Sequence, residues 1–125
     1  DDRFLIAKIV KHFRSREKVL ELGNIDVCRD FSDVRDISKI YLALANLPPV
    51  NEAVNLCSGR GIEIRSILNM MREISGHEIR IQSSPDLIRP NEVKELWGGP
   101  EKLADLVGEK PVTPFKDTLL WMYTE

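Results

Sequence analysis

The chain has 125 residues, 42% of them hydrophobic and 30% charged, with a net charge of −2. This length predicts a single domain over residues 1–125 with a substantial core. The charge balance argues against nucleic-acid binding, because proteins of that class are usually clearly basic. No apolar run approaches the roughly 20 residues of a membrane span, and no signal peptide is visible. The sequence therefore predicts a cytoplasmic protein.

The first predicted element is an amphipathic helix near the start of the chain. Its apolar residues recur with helical spacing, at Ile6, Ile9, Val10 and Phe13. The chain begins with Asp1 rather than Met and enters this helix almost at once, so we interpret it as a piece of a larger protein. A short strand is predicted at Val19–Leu22, followed by a turn and an extended or irregular stretch from Ile25 to Phe31.

The middle of the chain predicts two helices separated by a strand. Ser32 is the expected N-cap of a helix from Asp33 to about Leu47. The expected buried side of this helix is Ile37, Ile40, Tyr41 and Leu44. A strand is predicted at Glu52–Cys57, and a tight turn then leads into a third helix. The expected buried side of the third helix is Ile64, Ile67, Leu68 and Met71. Gly76 stands where a C-terminal cap is expected.

The last third predicts short strands at Ile79–Gln82 and Val93–Trp97, then two helices. Pro100 suits the first turn of one helix, and Thr113-Pro114 begins the other. No βαβ rhythm lasts long enough for a doubly wound sheet. The predicted fold is thus an α/β mixture, several helices with a few short strands.

Two arginine motifs point to function. One runs from Arg29 to Asp36 (RDFSDVRD), and the other, about sixty residues later, is Arg89-Pro90-Asn91-Glu92-Val93. Arginine forms bidentate hydrogen bonds with phosphate, so two arginines converging on one cleft would suit a diphosphate. The alternatives stay open: Arg29 could pair with the acidic residues of its own motif, and Arg89 could be a surface arginine.

The order of motifs resembles the C-terminal part of the extended short-chain dehydrogenases/reductases, which act on nucleotide sugars. The first motif is similar to the family's R-D-[FWY]-x-x-V-x-D. Asn55-Leu56-Cys57-Ser58-Gly59 resembles N-[LV]-x-[ST]-G, and the second motif resembles R-P-x-[DE]-V. The run from Gly98 through Lys102-Leu103 to Pro114-Phe115 follows the family's closing pattern. Gly23-Asn24-Ile25-Asp26 and the glutamate at position 92 resemble the GDP-sugar branch, which includes GDP-mannose 4,6-dehydratase and GDP-4-keto-6-deoxymannose reductase.

This resemblance implies roles for three residues. Arg29 and Arg89 would hold the diphosphate of a sugar nucleotide, and Glu92 would accept hydrogen bonds from ribose hydroxyls. A solvated loop position is the alternative for Glu92. Asp33 and Asp36 are expected to cap or flank a helix rather than to catalyse. Val27 and Phe31 could line the ligand pocket, but we expect them in the core.

The resemblance also implies what this chain lacks. Family members bind NAD or NADP in an N-terminal Rossmann half and use a Tyr-x-x-x-Lys pair for catalysis. Here Tyr41 is followed four residues on by Ala45, and Tyr123 is two residues from the end. Ser58-Gly59-Arg60-Gly61 lacks the third glycine of a dinucleotide fingerprint, so it predicts a plain turn. We therefore expect no cofactor site, no catalytic residue and no activity in this chain alone.

Cysteine and histidine spacing gives no metal set. Cys28 and Cys57 follow apolar residues and do not form a C-x-x-C motif. We expect them to be buried, reduced thiols.

The sequence supports three functional hypotheses. The first is a substrate-binding part of a nucleotide-sugar enzyme, whose partner is the missing Rossmann half. The second is a non-enzymatic interaction or regulatory domain on the same scaffold. Under either, an exposed interdomain face predicts a homo-oligomer. The third, a nucleic-acid module, rests on the basic residues Lys8, Lys11, Arg14, Arg16 and Lys18, for which a solvated helix face is the ordinary explanation.

Overall fold

The computed structural model describes residues 4–48, 51–88, 90–108 and 112–125. The helices in these ranges are α1 (Leu5–Arg14), α2 (Val34–Ala45), α3 (Ile64–Ser75), α4 (Glu101–Val107) and α5 (Phe115–Thr124). The strands are β1 (Val19–Leu22), β2 (Cys28–Asp30), β3 (Gly61–Glu63), β4 (Arg80–Ser83) and β5 (Glu95–Leu96). The predicted mixture of helices and short strands is confirmed.

The described strands form two small sheets. β1 pairs in parallel with β4, from Val19 opposite Arg80 to Leu22 opposite Ser83. The second sheet has the order β3-β2-β5, in which β3 is antiparallel and β5 parallel to β2. β2, which carries the first two residues of the first arginine motif, Arg29 and Asp30, is therefore held on both edges.

The hydrophobic core lies where α1, α3 and α5 pack on one another and on β1. Helical spacing gave most of it correctly, because Ile9, Val10 and Phe13 of α1 are all buried. The four predicted residues of α3 are also buried, from Ile64 to Met71. Leu119 is the fully buried apolar residue of α5. Burying such side chains is the main favourable contribution to folding, at about 25 cal/mol per Å² of apolar surface.

The ends of α2 and α3 are set by local chemistry. Gly76 ends α3 in the left-handed conformation (φ 59°), as predicted. The cap of α2 is Asp33 rather than the predicted Ser32, and its carboxylate accepts a hydrogen bond from the Arg35 N–H at 2.8 Å. Tyr41 was expected on the buried side of α2 but is 62% exposed. Ile40 is the only buried residue of α2, so this helix packs on the other described residues through a narrow face.

One strand prediction was wrong, and a second was too long. Residues 51–57 contain no strand, although one was predicted at Glu52–Cys57. A strand needs a neighbour to accept and donate its ladder hydrogen bonds, and none of the described strands pairs with this stretch. The strand in this region is β3, inserted between the predicted tight turn and α3. The strand predicted at Val93–Trp97 is only the two residues of β5.

None of the helices in the described part of the chain combines the length and apolar character that crossing a membrane requires.

Candidate functional site

Arg29 occupies the middle of the central strand β2, opposite Ile62 on one side and Leu96 on the other. Its side chain is 25% exposed. The guanidinium Nη1 donates hydrogen bonds to two main-chain carbonyl groups, that of Cys28 at 2.7 Å and that of Lys94 at 3.4 Å. These main-chain contacts direct the charge toward the residues just before β5.

Glu92 meets Arg29 there. Arg29 Nη2 lies 3.5 Å from Glu92 Oε1, although the two residues are 63 apart in sequence. The Glu92 side chain is only 17% exposed. Its second oxygen, Oε2, is buried and has no hydrogen-bond partner among the described residues. Asn91, directly before it, has a left-handed backbone (φ 59°), which asparagine tolerates better than most residues. The fold thus brings together one residue from each predicted motif.

Arg89, the third predicted site residue, lies outside the described residues. Its place beside Arg29 therefore stays a prediction. The sequence puts it three positions before Glu92, whose position is described.

Asp30 does not pair with Arg29, although sequence reasoning left that pairing open. Its Oδ1 accepts hydrogen bonds from the Ser58 N–H at 2.9 Å and the Ser58 hydroxyl at 2.6 Å. Its Oδ2 accepts from the N–H groups of Gly59 at 3.0 Å and Gly98 at 3.3 Å. Burial raises the pKa of this carboxyl, but these hydrogen bonds outweigh burial and hold the pKa below its usual value.

The same contacts decide how the Ser58–Gly61 turn can act. A dinucleotide or phosphate loop needs backbone N–H groups aimed at the ligand. Here the Ser58 and Gly59 N–H groups donate to Asp30 instead. This observation supports a structural turn, as predicted, and the turn does not fit a cofactor phosphate.

Asp33 and Asp36 also have structural partners. The Asp33 side chain is fully buried and accepts from Arg35 Nε at 2.9 Å, Arg35 Nη2 at 2.5 Å and the Thr118 hydroxyl at 2.8 Å. The hydrogen bonds from Arg35 are the main reason that the pKa of Asp33 lies far below its usual range. Asp36 accepts from the Thr113 N–H at 2.7 Å, and this bond lowers its pKa. Both carboxylates hold α2 in place, which agrees with the expectation that they cap or flank a helix.

A groove of about 310 Å³ opens at the end of β2 and β5. It is lined by Arg29, Asp30, Asn55, Leu56, Cys57, Leu96, Trp97 and Gly98. Two glycines make its walls possible. A Cβ on Gly98 would lie 2.6 Å from Cys57 Sγ, and one on Gly61 would lie 2.6 Å from Cε3 of Trp97. The sequence did not predict the wall formed by Leu96, Trp97 and Gly98, because only the sheet register brings β5 beside β2.

The two cysteines are free thiols and are half-buried rather than buried as predicted. Burial raises the pKa of both thiols, and the charge of Asp30 adds to this for Cys57. The described residues contain no cluster of histidine, cysteine and carboxylate groups able to hold a metal ion.

Val27 and Phe31 lie in or against the core, as expected. Val27 is buried, and Phe31 stacks on Phe115 with ring centroids 5.2 Å apart. The described site therefore places the Arg29 guanidinium beside the Glu92 carboxylate, at a partly apolar groove that Arg29 lines. A guanidinium at such a groove can bind an anion such as phosphate.

Comparison with known proteins agrees with the sequence motifs. No family model matches the chain. Over 105 residues it is 34% identical to GDP-6-deoxy-D-talose 4-dehydrogenase of Aggregatibacter actinomycetemcomitans, a match that covers 84% of this chain and 36% of that protein. A crystal structure from Burkholderia cenocepacia J2315 is 43% identical and superimposes with a TM-score of 0.95, covering 99% of this chain and 41% of that one.

A structure of RMD from Pseudomonas aeruginosa complexed with NADPH is 30% identical, with a TM-score of 0.88 over 99% of this chain and 42% of that one. The chain thus spans about two fifths of the length of the relatives it matches. Motifs, sequence identity and fold agree, and the chain is homologous to the extended short-chain dehydrogenases/reductases of nucleotide sugars.

Proposed function

We propose that this chain is the sugar-nucleotide-binding part of an NAD(P)-dependent epimerase, dehydratase or reductase that acts on a GDP-sugar. The observation that carries the proposal is the meeting of Arg29 and Glu92 from two distant motifs. The relative named for GDP-6-deoxy-D-talose supports the choice of a GDP-sugar.

In this proposal Arg29 and Arg89 bind the diphosphate. A guanidinium is permanently charged and donates two parallel hydrogen bonds to phosphate oxygens. Arg29 is prepared for this role because main-chain carbonyls already orient it. A hydrogen bond to a charged group contributes about 1.5–3 kcal/mol, so loss of either arginine weakens binding by about ten- to a hundredfold.

Glu92 binds the ribose. An ionised carboxylate has only acceptor sites, and a vicinal diol supplies the two donors that match it. The position of Glu92 supports this role, because its Oε1 lies 3.5 Å from Nη2 of Arg29, the guanidinium proposed to bind the diphosphate.

The catalytic step belongs to a second, Rossmann-type half that binds NAD or NADP and supplies the Tyr-x-x-x-Lys pair. An apolar groove of about 790 Å³ supports a docking face for that half. It lies between α1, α2 and α5, and its rim includes the exposed side chains of Phe4 and Val34. The stretch at 51–57, which none of the described strands pairs with, is further surface for such a partner. With this face uncovered, the isolated chain forms homo-oligomers.

The alternative proposal is a non-enzymatic interaction or regulatory domain. The same apolar groove favours it, because such a face suits a protein partner whether or not a ligand binds. Nucleic acid is not among the proposed partners: Lys8 Nζ donates to the Glu21 carbonyl at 2.7 Å, and Arg14 reaches the Met122 carbonyl, so part of the basic face is used within the fold. We also propose a cytoplasmic location, in keeping with the free thiols.

Titration calorimetry distinguishes the two proposals. GDP-mannose should bind the chain with millimolar affinity and more tightly than UDP-glucose or TDP-glucose. Arg29→Ala and Arg89→Ala should each weaken binding by about ten- to a hundredfold. Arg65→Ala is the matched control, because Arg65 pairs with Asp26 on the surface. Equal binding by the wild type and Arg29→Ala would contradict the enzyme proposal, and oligomers that bind no sugar nucleotide would favour the alternative.

A further inference from the structure

We infer that Asp30 is a positioning residue that aligns Glu92 with Arg29 by holding β5 on β2. This inference rests on the proposed function, since it concerns the same ligand site. Asp30 does not contact Arg29 through its side chain, and its carboxylate contacts neither Glu92 nor Lys94.

The pairing between β2 and β5 is very short. β2 has three residues and β5 has two, so the β2–β5 pairing comprises Cys28 opposite Glu95 and Arg29 opposite Leu96. So short a ladder gives few hydrogen bonds to fix its register. The Asp30 carboxylate extends the pairing, because its Oδ2 accepts from the N–H of Gly98, two residues beyond Leu96.

The start of β5 determines where Glu92 lies. The Cys28 N–H donates to the Lys94 carbonyl at 2.8 Å, and Arg29 Nη1 reaches the same carbonyl. Glu92 lies two residues before Lys94 and so depends on where β5 begins. A β5 released at Gly98 can slide or lift, which would move the Glu92 carboxylate away from the guanidinium.

The Asp30 carboxylate is itself held in place by the turn at residues 58–59. Oδ1 of Asp30 accepts from both the N–H and the hydroxyl of Ser58, and Oδ2 also accepts from the Gly59 N–H. One carboxylate thereby joins three segments of chain: β2, the turn at 58–59 and the loop after β5. An ionised carboxylate is the only side-chain group with acceptor sites for four donors.

Asp30→Asn tests this arrangement with little change in shape. The amide keeps one oxygen for Ser58 but turns its NH₂ toward the N–H groups of Gly59 and Gly98, which cannot accept. Ser58→Ala removes one donor and leaves the contact with Gly98 intact. Ile67→Val, a change in the core away from the groove, controls for lost global stability.

The experiment uses the 125-residue chain, with GDP as the probe, titrated by amide chemical shifts. In the same samples, hydrogen exchange of the Cys28 amide reports the far end of β5. Asp30→Asn should weaken GDP binding and speed Cys28 exchange, each by about tenfold, as expected for lost hydrogen bonds to a charged group. Ile67→Val should leave GDP binding unchanged and speed Cys28 exchange by no more than its loss of global stability allows, about two- to tenfold. Ser58→Ala, which removes one neutral donor, should change both by less than Asp30→Asn does.

Wild-type Cys28 exchange and GDP affinity in Asp30→Asn would overturn the inference, and so would an equal loss of GDP affinity in Ile67→Val. The proposed function fails separately if Arg29→Ala binds GDP as tightly as the wild type, or if the wild type binds no GDP. In that case Cys28 exchange alone tests whether Asp30 holds β5 on β2, and an exchange rate unchanged in Asp30→Asn would contradict this.

Discussion

The junction of α2 with α5 gives a sharp test of the packing described above. Asp33 is fully buried, caps α2 and accepts a hydrogen bond from the Thr118 hydroxyl, which is itself buried. Asp33→Ala removes an N-cap, at about 1 kcal/mol, and leaves the Thr118 hydroxyl without a partner, at about 1–3 kcal/mol. We therefore expect the free energy of unfolding to fall by about 3 kcal/mol at pH 7.

The loss should also depend on pH. The pKa of Asp33 is lowered in the folded state, so its stabilising effect is fully present above the unfolded value of about 3.9. The effect is lost as the pH falls from that value toward the lower folded pKa. The difference in stability between the wild type and Asp33→Ala should therefore be constant from pH 6 to 8 and shrink below about pH 4.

Urea denaturation followed by circular dichroism measures both effects. Asp26→Asn is the matched control, because Asp26 is 67% exposed and surface ion pairs contribute only about 0–1 kcal/mol. A loss below about 1 kcal/mol for Asp33→Ala, or a difference that stays constant down to pH 3, would refute the reasoning.

Three further predictions concern single contacts. Thr118→Val should lower the free energy of unfolding in urea by about 1.5–3 kcal/mol, because it removes a donor from a buried carboxylate; no loss would contradict this. Gly61→Ala should displace the Trp97 indole, cost about 1–3 kcal/mol and shift tryptophan emission, whereas Gly76→Ala should cost about 1 kcal/mol through its left-handed backbone and leave the emission unchanged. Cys57 should react with iodoacetamide more slowly than free cysteine at pH 8, with a rate that still rises above pH 9, because its pKa is raised; a rate equal to that of free cysteine would contradict the burial.

Periodic patterns predicted the core well, because helix burial depends on local spacing. Ile9, Val10 and Phe13 of α1 and the four predicted positions of α3 are buried, while Ile6 is half-buried against the core. Gly76 ends α3 where its freedom at positive φ is needed. Tyr41 shows the limit of this reasoning. Its spacing fits the buried side of α2, but α2 has too few described neighbours to cover that side.

The candidate site depended on information that spacing does not contain. The motifs identified Arg29 and Glu92, and the sheet register explains why they meet. Sequence alone could not assign Asp30, because its donors come from the turn at Ser58–Gly59 and from Gly98, far along the chain. The strand expected at Glu52–Cys57 failed for a related reason, since a strand exists only with its neighbour.

The most direct test of the anion site follows the arginine side chains themselves. The Nε–H resonances of Arg29 and Arg89 can be recorded by ¹⁵N NMR during a titration with GDP, and Arg65 serves as the internal control. We predict that Arg29 and Arg89 shift together with one dissociation constant while Arg65 stays in place. Shifts of only one of the pair, or different dissociation constants for the two, would contradict a shared diphosphate site.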